Sequence, residues 1–116
     1  MTPLELIKRG AVLSAAVPGG ASMLLGPHAV VERGRLLFYD LAAERARTLK
    51  FDAYECGENA VIWLVQAGDQ VARLSPVAGE SPEAETAWDQ HWARRPAEHQ
   101  NRLLERMKAA IEAVRE

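Results

Sequence analysis

This chain of 116 residues has a single cysteine and no hydrophobic run long enough to cross a bilayer. Cys56 cannot form an internal disulfide, which predicts a reducing environment such as the cytoplasm. The N-terminal region has an acid at Glu5 and only a short apolar segment at 11–17, so it makes a poor secretory signal. We therefore expect a cytoplasmic protein with no membrane association. The abundance of arginine and alanine suggests a bacterial genome.

Concentrated positive charge is also scarce. The formal net charge is −2, and neither half of the chain forms a basic patch. A nucleic-acid-binding protein needs several clustered cations to displace phosphate counterions. Arg33 and Arg35 lie near one predicted turn and Arg45 and Arg47 near another, at opposite ends of a predicted hairpin. We expect no nucleic-acid partner, and an accessory role with nucleic acid stays open only if these four arginines converge in space.

No pattern typical of an enzyme occurs. Cys56 lies close to Glu55 and Glu58, whereas a nucleophilic cysteine needs a nearby cation or a helix N-terminus. The glycines match neither of the phosphate-binding spacings, Gly-x-Gly-x-x-Gly and Gly-x-x-x-x-Gly-Lys. We therefore expect no catalytic residue, no cofactor and a non-enzymatic protein.

The histidines predict no metal site. His91 and His99 are eight residues apart on either side of Pro96, while zinc ligands on a helix are usually one turn apart. Asp89 or Glu98 could join them only if the two segments folded together. His28 has no evident companion. The pattern favours exposed histidines on helices and no bound metal.

Residues 60–66 form the most informative stretch of the chain. Six successive apolar side chains, rich in β-branched and aromatic types, lie there between turn-forming residues. This run predicts a strand that is buried on both faces, with Ile62, Trp63 and Leu64 nearly inaccessible. Residues 36–39 predict the same for a second strand. Some other layer must therefore cover both faces of the sheet.

The segments before the sheet predict one helix. Thr2, Pro3 and Glu5 form a capping-box pattern, with proline at the first helical position. We expect this helix to reach residue 16, although 11–17 could be extended instead. Between 21 and 77, short apolar runs separated by turns predict an antiparallel meander of about five strands. A two-residue hairpin turn is expected at Arg33 and Gly34.

The C-terminal region, 78–116, is predicted to be helical. Pro96 divides it into a helix that begins near Pro82 and an amphipathic helix over 97–114. The whole sequence therefore predicts a single α+β domain, 1–116. It consists of a helix and antiparallel sheet over 1–77, followed by two helices packed on that sheet.

Trp88 and Trp92 are the candidate partner-binding residues. They lie one helical turn apart on a helix with few other apolar residues, where they either dock the helix or anchor a partner. The leading hypothesis is a protein-interaction module, adaptor-like, chaperone-like or inhibitor-like, whose partner is a second copy of the chain. The alternative is a small-molecule binder or enzyme with a pocket between sheet and helices, for which Tyr39, Tyr54, Trp63 or Arg73 could supply polar or aromatic lining.

Overall fold

A computed structural model of the protein describes residues 2–8, 13–20, 22–76 and 82–115. Within these residues the fold is α+β, with an antiparallel sheet of eight strands and a long C-terminal helix. The elements in chain order are α1 Pro3–Lys8, β1 Leu13–Ala16, β2 Ser22–Leu25, β3 Val30–Glu32, β4 Arg35–Asp40, β5 Arg45–Lys50, β6 Ala53–Cys56, β7 Ile62–Gln66, β8 Asp69–Pro76, α2 Pro82–Trp88, a π-helical turn Asp89–Ala93, and α3 Ala97–Arg115.

The N-terminal helix is shorter than its sequence pattern predicts. Its capping box is confirmed, because the Glu5 amide donates to Thr2 Oγ1 at 3.1 Å and the Thr2 amide donates to Glu5 Oε2 at 2.9 Å. The helix ends at Lys8, however, and β1 begins at Leu13. The favoured continuation of the helix to residue 16 is therefore wrong, and the extended alternative is confirmed over 13–16. Strand pairing on both sides of β1 outweighs the helix propensity of its alanines.

The sheet curls back on itself. Its order is β3–β4–β2–β1–β8–β7–β6, and β5 pairs with β4 outside this path. Since only Phe51 and Asp52 separate β5 from β6, one bent stretch of chain links the β4 end of the sheet to its β6 end. The Phe51 amide donates to the Gly34 carbonyl and the Asp52 amide to the Val65 carbonyl, both at 2.9 Å. The sheet therefore has more strands than the five or so expected, because β6 was not predicted and β1 was predicted only as the alternative to a longer helix.

The main core lies inside this curl. Its buried members come from strands all around the sheet and are Ala15, Leu25, Leu36, Phe38, Phe51, Ile62, Leu64, Ala72 and Leu74. Closure removes the concave face from water without a separate covering layer. The sheet therefore supplies one of the two covers that its apolar strands require.

The outer face of β4 is covered by helix. Leu37 and Tyr39 alternate with the core residues of that strand and are also buried, beneath a helical layer that includes Leu103 and Met107. Helix α3 contacts both β4 and β5. The prediction that residues 36–39 are buried on both faces is thus confirmed, as is the α3 helix that begins after Pro96.

Strand β7 departs from its prediction. Ile62 and Leu64 are 1% and 0% exposed, but Trp63 is only partly buried. Trp63 points to the outer face, where the Arg73 guanidinium lies 5.8 Å from its ring centroid. The prediction that β7 is buried on both faces is therefore wrong at Trp63, because a tryptophan on the outer face can be covered by a charged neighbour.

None of the described helices is long and apolar enough to cross a membrane.

Candidate functional site

Trp88 and Trp92 lie side by side at the junction of α2 and the π-helical turn. Their ring centroids are 6.1 Å apart and the ring planes are inclined by 37°. Both rings are half-buried and pack against the outer cluster that contains Leu24, Tyr39 and Met107. They therefore dock the segment on the sheet and also keep part of their surface exposed, so the two readings of the pair from sequence are compatible.

The backbone around the pair is unusual. A π-helical turn at Asp89–Ala93 contains no buried residue, although it carries Trp92. The Trp92 carbonyl accepts hydrogen bonds from the Arg95 amide at 3.1 Å and from Gln100 Nε2 at 3.0 Å, which fixes the end of the turn to α3. Single π-helical turns are rare and are often found at functional sites. Four residues turn through about 400° in an α-helix and through less in a wider π-helical turn, so the turn changes the angle between Trp88 and Trp92 around the helix axis.

A shallow groove runs along the exposed side of the same segment. It has a volume of about 340 Å³ and is lined by Pro82, Glu83, Thr86, Ala87 and Gln90. Ala87 also contributes to the outer cluster, so the floor of the groove continues into the packed layer. The groove and the aromatic pair lie on different sides of the segment and meet at Ala87, which lines the groove and also packs beside the tryptophans. We call the exposed parts of Trp88 and Trp92 together with this groove the α2 face.

The predicted pocket between sheet and helices does not bring its four residues together. Tyr39 is buried under α3, whereas Tyr54 lies on β6 with 42% of its surface exposed. Trp63 and Arg73 face outward on β7 and β8. Tyr54 pairs with the core residue Leu64 and so lies on the core side of the sheet, whereas the other three lie on its outer face, where the helical layer covers Tyr39.

The four arginines considered for nucleic acid also stay apart. In the β4–β5 hairpin Arg35 pairs with Lys50 at one end and Asp40 with Arg45 at the other. Arg35 Nη2 donates to the Arg115 carbonyl at 2.9 Å, and Arg47 Nε donates to Asp40 Oδ2 at 2.7 Å. Arg35 and Arg47 are thus engaged in contacts within the fold, which does not favour a joint phosphate-binding role for the four arginines.

Basic side chains gather instead around the start of helix α3. Arg95, His99, Arg102 and Arg106 line a depression of about 130 Å³ with Glu44 and the buried Leu103. His99, Arg102 and Arg106 are spaced by three and four residues, which places them on one face of α3, and Arg95 lies just before the helix begins. That spacing is visible in the sequence and could have identified the cluster. Sequence reasoning missed it because Glu98 and Glu105 lie between these residues and lower the net charge of the segment.

The remaining chemical candidates are dispersed. Cys56 is exposed on β6, and His91 and His99 lie on separate helical segments. Among the residues that the structure describes, no three His, Cys, Asp or Glu side chains are grouped to hold a metal ion. No protein-family model, curated protein or solved structure matches the chain. A function must therefore be inferred from the surfaces of the molecule.

Proposed function

We propose that the protein is a non-enzymatic interaction module that self-associates through the α2 face. The observation that carries this proposal is the half-buried Trp88–Trp92 pair, whose rings lie 6.1 Å apart. Tryptophan is enriched among the residues that dominate binding energy, especially where it fills a pocket on the partner. The α2 face combines such aromatic anchors with a groove, so it offers both halves of that arrangement.

A second copy of the chain suits this surface. In a two-fold dimer the same patch occurs on both subunits, and each residue that contacts a partner residue is contacted in return. A tryptophan edge from one copy could enter the groove lined by Thr86 and Gln90 of the other. Offset or inclined aromatic rings add a favourable contact beyond the apolar area that they bury. The curl of the sheet covers the concave face that a flat sheet would leave exposed, so the proposal depends on the α2 face alone.

Light scattering over a concentration series tests the proposal. We expect a species of twice the 12.8 kDa monomer mass to accumulate at micromolar concentration. Gln90 is exposed and lines the groove, so Gln90→Arg should weaken the dimer by placing a bulky charge on each side of the symmetric interface. Gln66→Arg is the matched control, because Gln66 is an exposed glutamine on β7.

Fluorescence separates the site from other modes of association. A Trp63→Phe variant leaves Trp88 and Trp92 as the only tryptophans. Their accessibility to acrylamide should fall as the dimer forms. A single 12.8 kDa species up to about 100 µM would contradict self-association. A dimer that tolerates Gln90→Arg without change, and whose tryptophans stay accessible, would place the interface elsewhere.

A further inference from the structure

A second groove lies along β5, at the place where the curled sheet leaves that strand partly uncovered. It has a volume of about 380 Å³ and is lined by Val17, Met23, Arg45, Ala46, Arg47, Thr48 and Leu49. Among the described strands, β5 pairs only with β4. The volume falls at the lower end of the range of about 300–1,000 Å³ that small-molecule sites occupy.

The register of the sheet places side chains from the core face in this groove. Leu49 pairs with Leu36 and Arg47 pairs with Phe38, and both partners belong to the main core. Since cross-strand partners share a face, Arg47 and Leu49 point toward the inside of the curl. Met23 also packs against the main core, so the groove has an apolar inner end.

One of the two arginines is held by a buried carboxylate. Arg47 Nε donates to Asp40 Oδ2 at 2.7 Å, and the Asp40 side chain is 4% exposed. The other oxygen, Asp40 Oδ1, accepts from the Ala42 and Ala43 amides at 3.1 and 3.2 Å. The Arg47 guanidinium is therefore oriented before any ligand arrives, and its Nη groups remain as donors. Such preorientation lowers the entropic cost of binding.

The charges in and behind the groove define the class of ligand. Arg45 is exposed and forms no ion pair with the described residues, whereas Asp40 neutralises Arg47. One positive charge is thus in excess, which matches a monoanion and would leave a dianion incompletely compensated. Two guanidinium groups can donate paired hydrogen bonds to the oxygens of a carboxylate. The apolar walls at Val17, Met23 and Leu49 would bury an attached hydrocarbon.

We infer that this β5 groove binds a small organic monocarboxylate, with its carboxylate at Arg45 and Arg47 and its apolar body toward Met23. The site is separate from the α2 face and does not depend on self-association. Hexanoate is a suitable probe because it combines one carboxylate with a short apolar chain. Its eight non-hydrogen atoms can support a Kd of about 1 mM.

Titration followed by amide chemical shifts tests the inference. Hexanoate should shift the amide signals of residues 45–49, Val17 and Met23. Acetate, which lacks the apolar body, and 1-hexanol, which lacks the charge, should each bind at least about tenfold more weakly. Arg45→Gln should weaken hexanoate binding by about tenfold or more, since it removes the charge-assisted hydrogen bonds. Arg33→Gln is the matched control, because Arg33 is exposed beyond the opposite end of the hairpin.

Four results would overturn the inference. The first is the absence of shifts in residues 45–49 at about 20 mM hexanoate, well above the expected Kd. The second is equal binding of hexanoate and 1-hexanol, which would reduce the groove to an apolar surface. The third is an unchanged hexanoate Kd in Arg45→Gln. Tighter binding of inorganic phosphate than of hexanoate would likewise contradict the monocarboxylate assignment.

Discussion

The carboxylate of Glu32 accepts two hydrogen bonds from the guanidinium of Arg115, from Nε at 2.7 Å and from Nη2 at 2.9 Å. Arg35 Nη2 donates to the Arg115 carbonyl at 2.9 Å, which satisfies a backbone group at the end of α3. These contacts join the last turn of the C-terminal helix to the β3–β4 hairpin. They fix the end of α3 on the outer face of the sheet, which the apolar side of α3 covers.

The Glu32–Arg115 pair predicts a change of stability with pH. Hydrogen bonding from Arg115 lowers the pKa of the Glu32 carboxyl below its ordinary value, partial desolvation opposes this effect, and the charges of Arg115, Arg35 and Arg33 reinforce it. A lowered folded-state pKa gives stability that is fully present above the unfolded-state pKa and is lost as pH falls through the folded one. Glu32→Gln should therefore destabilise the protein near neutral pH, and the difference from wild type should shrink in acid.

Urea denaturation at a series of pH values measures this difference. Glu105→Gln is the matched control, since Glu105 is an exposed glutamate on α3. A Glu32→Gln variant whose stability difference from wild type is constant from neutral to acidic pH would show that the pair contributes nothing through ionisation.

Asp40 predicts a large local effect on stability. It is 3% exposed and supports the β4–β5 connection through Arg47 and the Ala42 and Ala43 amides. Asp40→Ala should cost about 2–4 kcal/mol, because it removes a buried charge partner and leaves backbone donors unsatisfied. Asp40→Asn should cost less, since its amide oxygen can still accept from the turn.

Chemical denaturation of both variants checks this order. Asp69→Ala, at an exposed aspartate where β8 begins, should change stability by no more than about 0.5 kcal/mol. Equal costs for Asp40→Ala and Asp40→Asn would show that the hydrogen bonds to the turn contribute little beside the ion pair.

The β7–β8 turn predicts a stabilising substitution. Ala67 and Gly68 have φ of 54° and 86°, the pattern of a turn in which both central residues are left-handed. Alanine is strained there, whereas Asn-Gly is a favoured pair. Ala67→Asn should raise the free energy of unfolding by about 0.5–1 kcal/mol, and the hydrogen bond from the residue 67 amide to Asp52 Oδ2, now 2.9 Å, should persist.

The same substitution in a helix should have the opposite sign. Ala109 is exposed on α3, where asparagine is less favourable than alanine by about 0.7 kcal/mol or less. Thermal denaturation of the two variants under one buffer condition compares them directly. A destabilised Ala67→Asn would indicate that the turn does not have two left-handed residues in solution.

Local turn chemistry was the most predictable part of the fold. Arg33 and Gly34 were expected to form a two-residue turn, and both have positive φ, 52° and 72°. Strand β4 contains the run 36–39 that was predicted as a strand, and it begins directly after Gly34. These features depend on neighbouring residues alone, so a sequence pattern can capture them.

The closure of the sheet was not predictable by the same means. Leu13–Ala16 pairs with residues 73–76, about sixty positions later, and alanine-rich sequence there favours helix. The extended state is selected by partners on both edges of β1, which no local pattern reports. The β5 groove depends on the same closure, because Met23 and Arg45 meet only once the sheet has curled. Trp88 and Trp92 were identifiable from spacing alone, whereas the π-helical turn was not.

Gly26 and Met107 give the sharpest test of how α3 is seated on the sheet. Gly26 is buried after β2, and its amide donates to the Tyr39 carbonyl at 2.8 Å. A Cβ at this position would lie 2.9 Å from Met107 Sδ, and Met107 is 0% exposed. Gly26→Ala should therefore cost about 1–3 kcal/mol, because the thioether has little room to move away.

A double-mutant cycle isolates this contact. Met107→Ala alone should cost about 2–5 kcal/mol through the cavity that it leaves. In that background the Gly26→Ala methyl group no longer meets the sulfur, and the Tyr39 carbonyl oxygen at 3.3 Å is the close neighbour that remains. The double variant should therefore be more stable than the sum of the single effects predicts by at least about 0.5 kcal/mol. Urea denaturation of the four proteins gives the coupling energy. Additive effects would mean that the β2–β3 connection does not touch Met107, and that α3 sits differently on the outer face of the sheet.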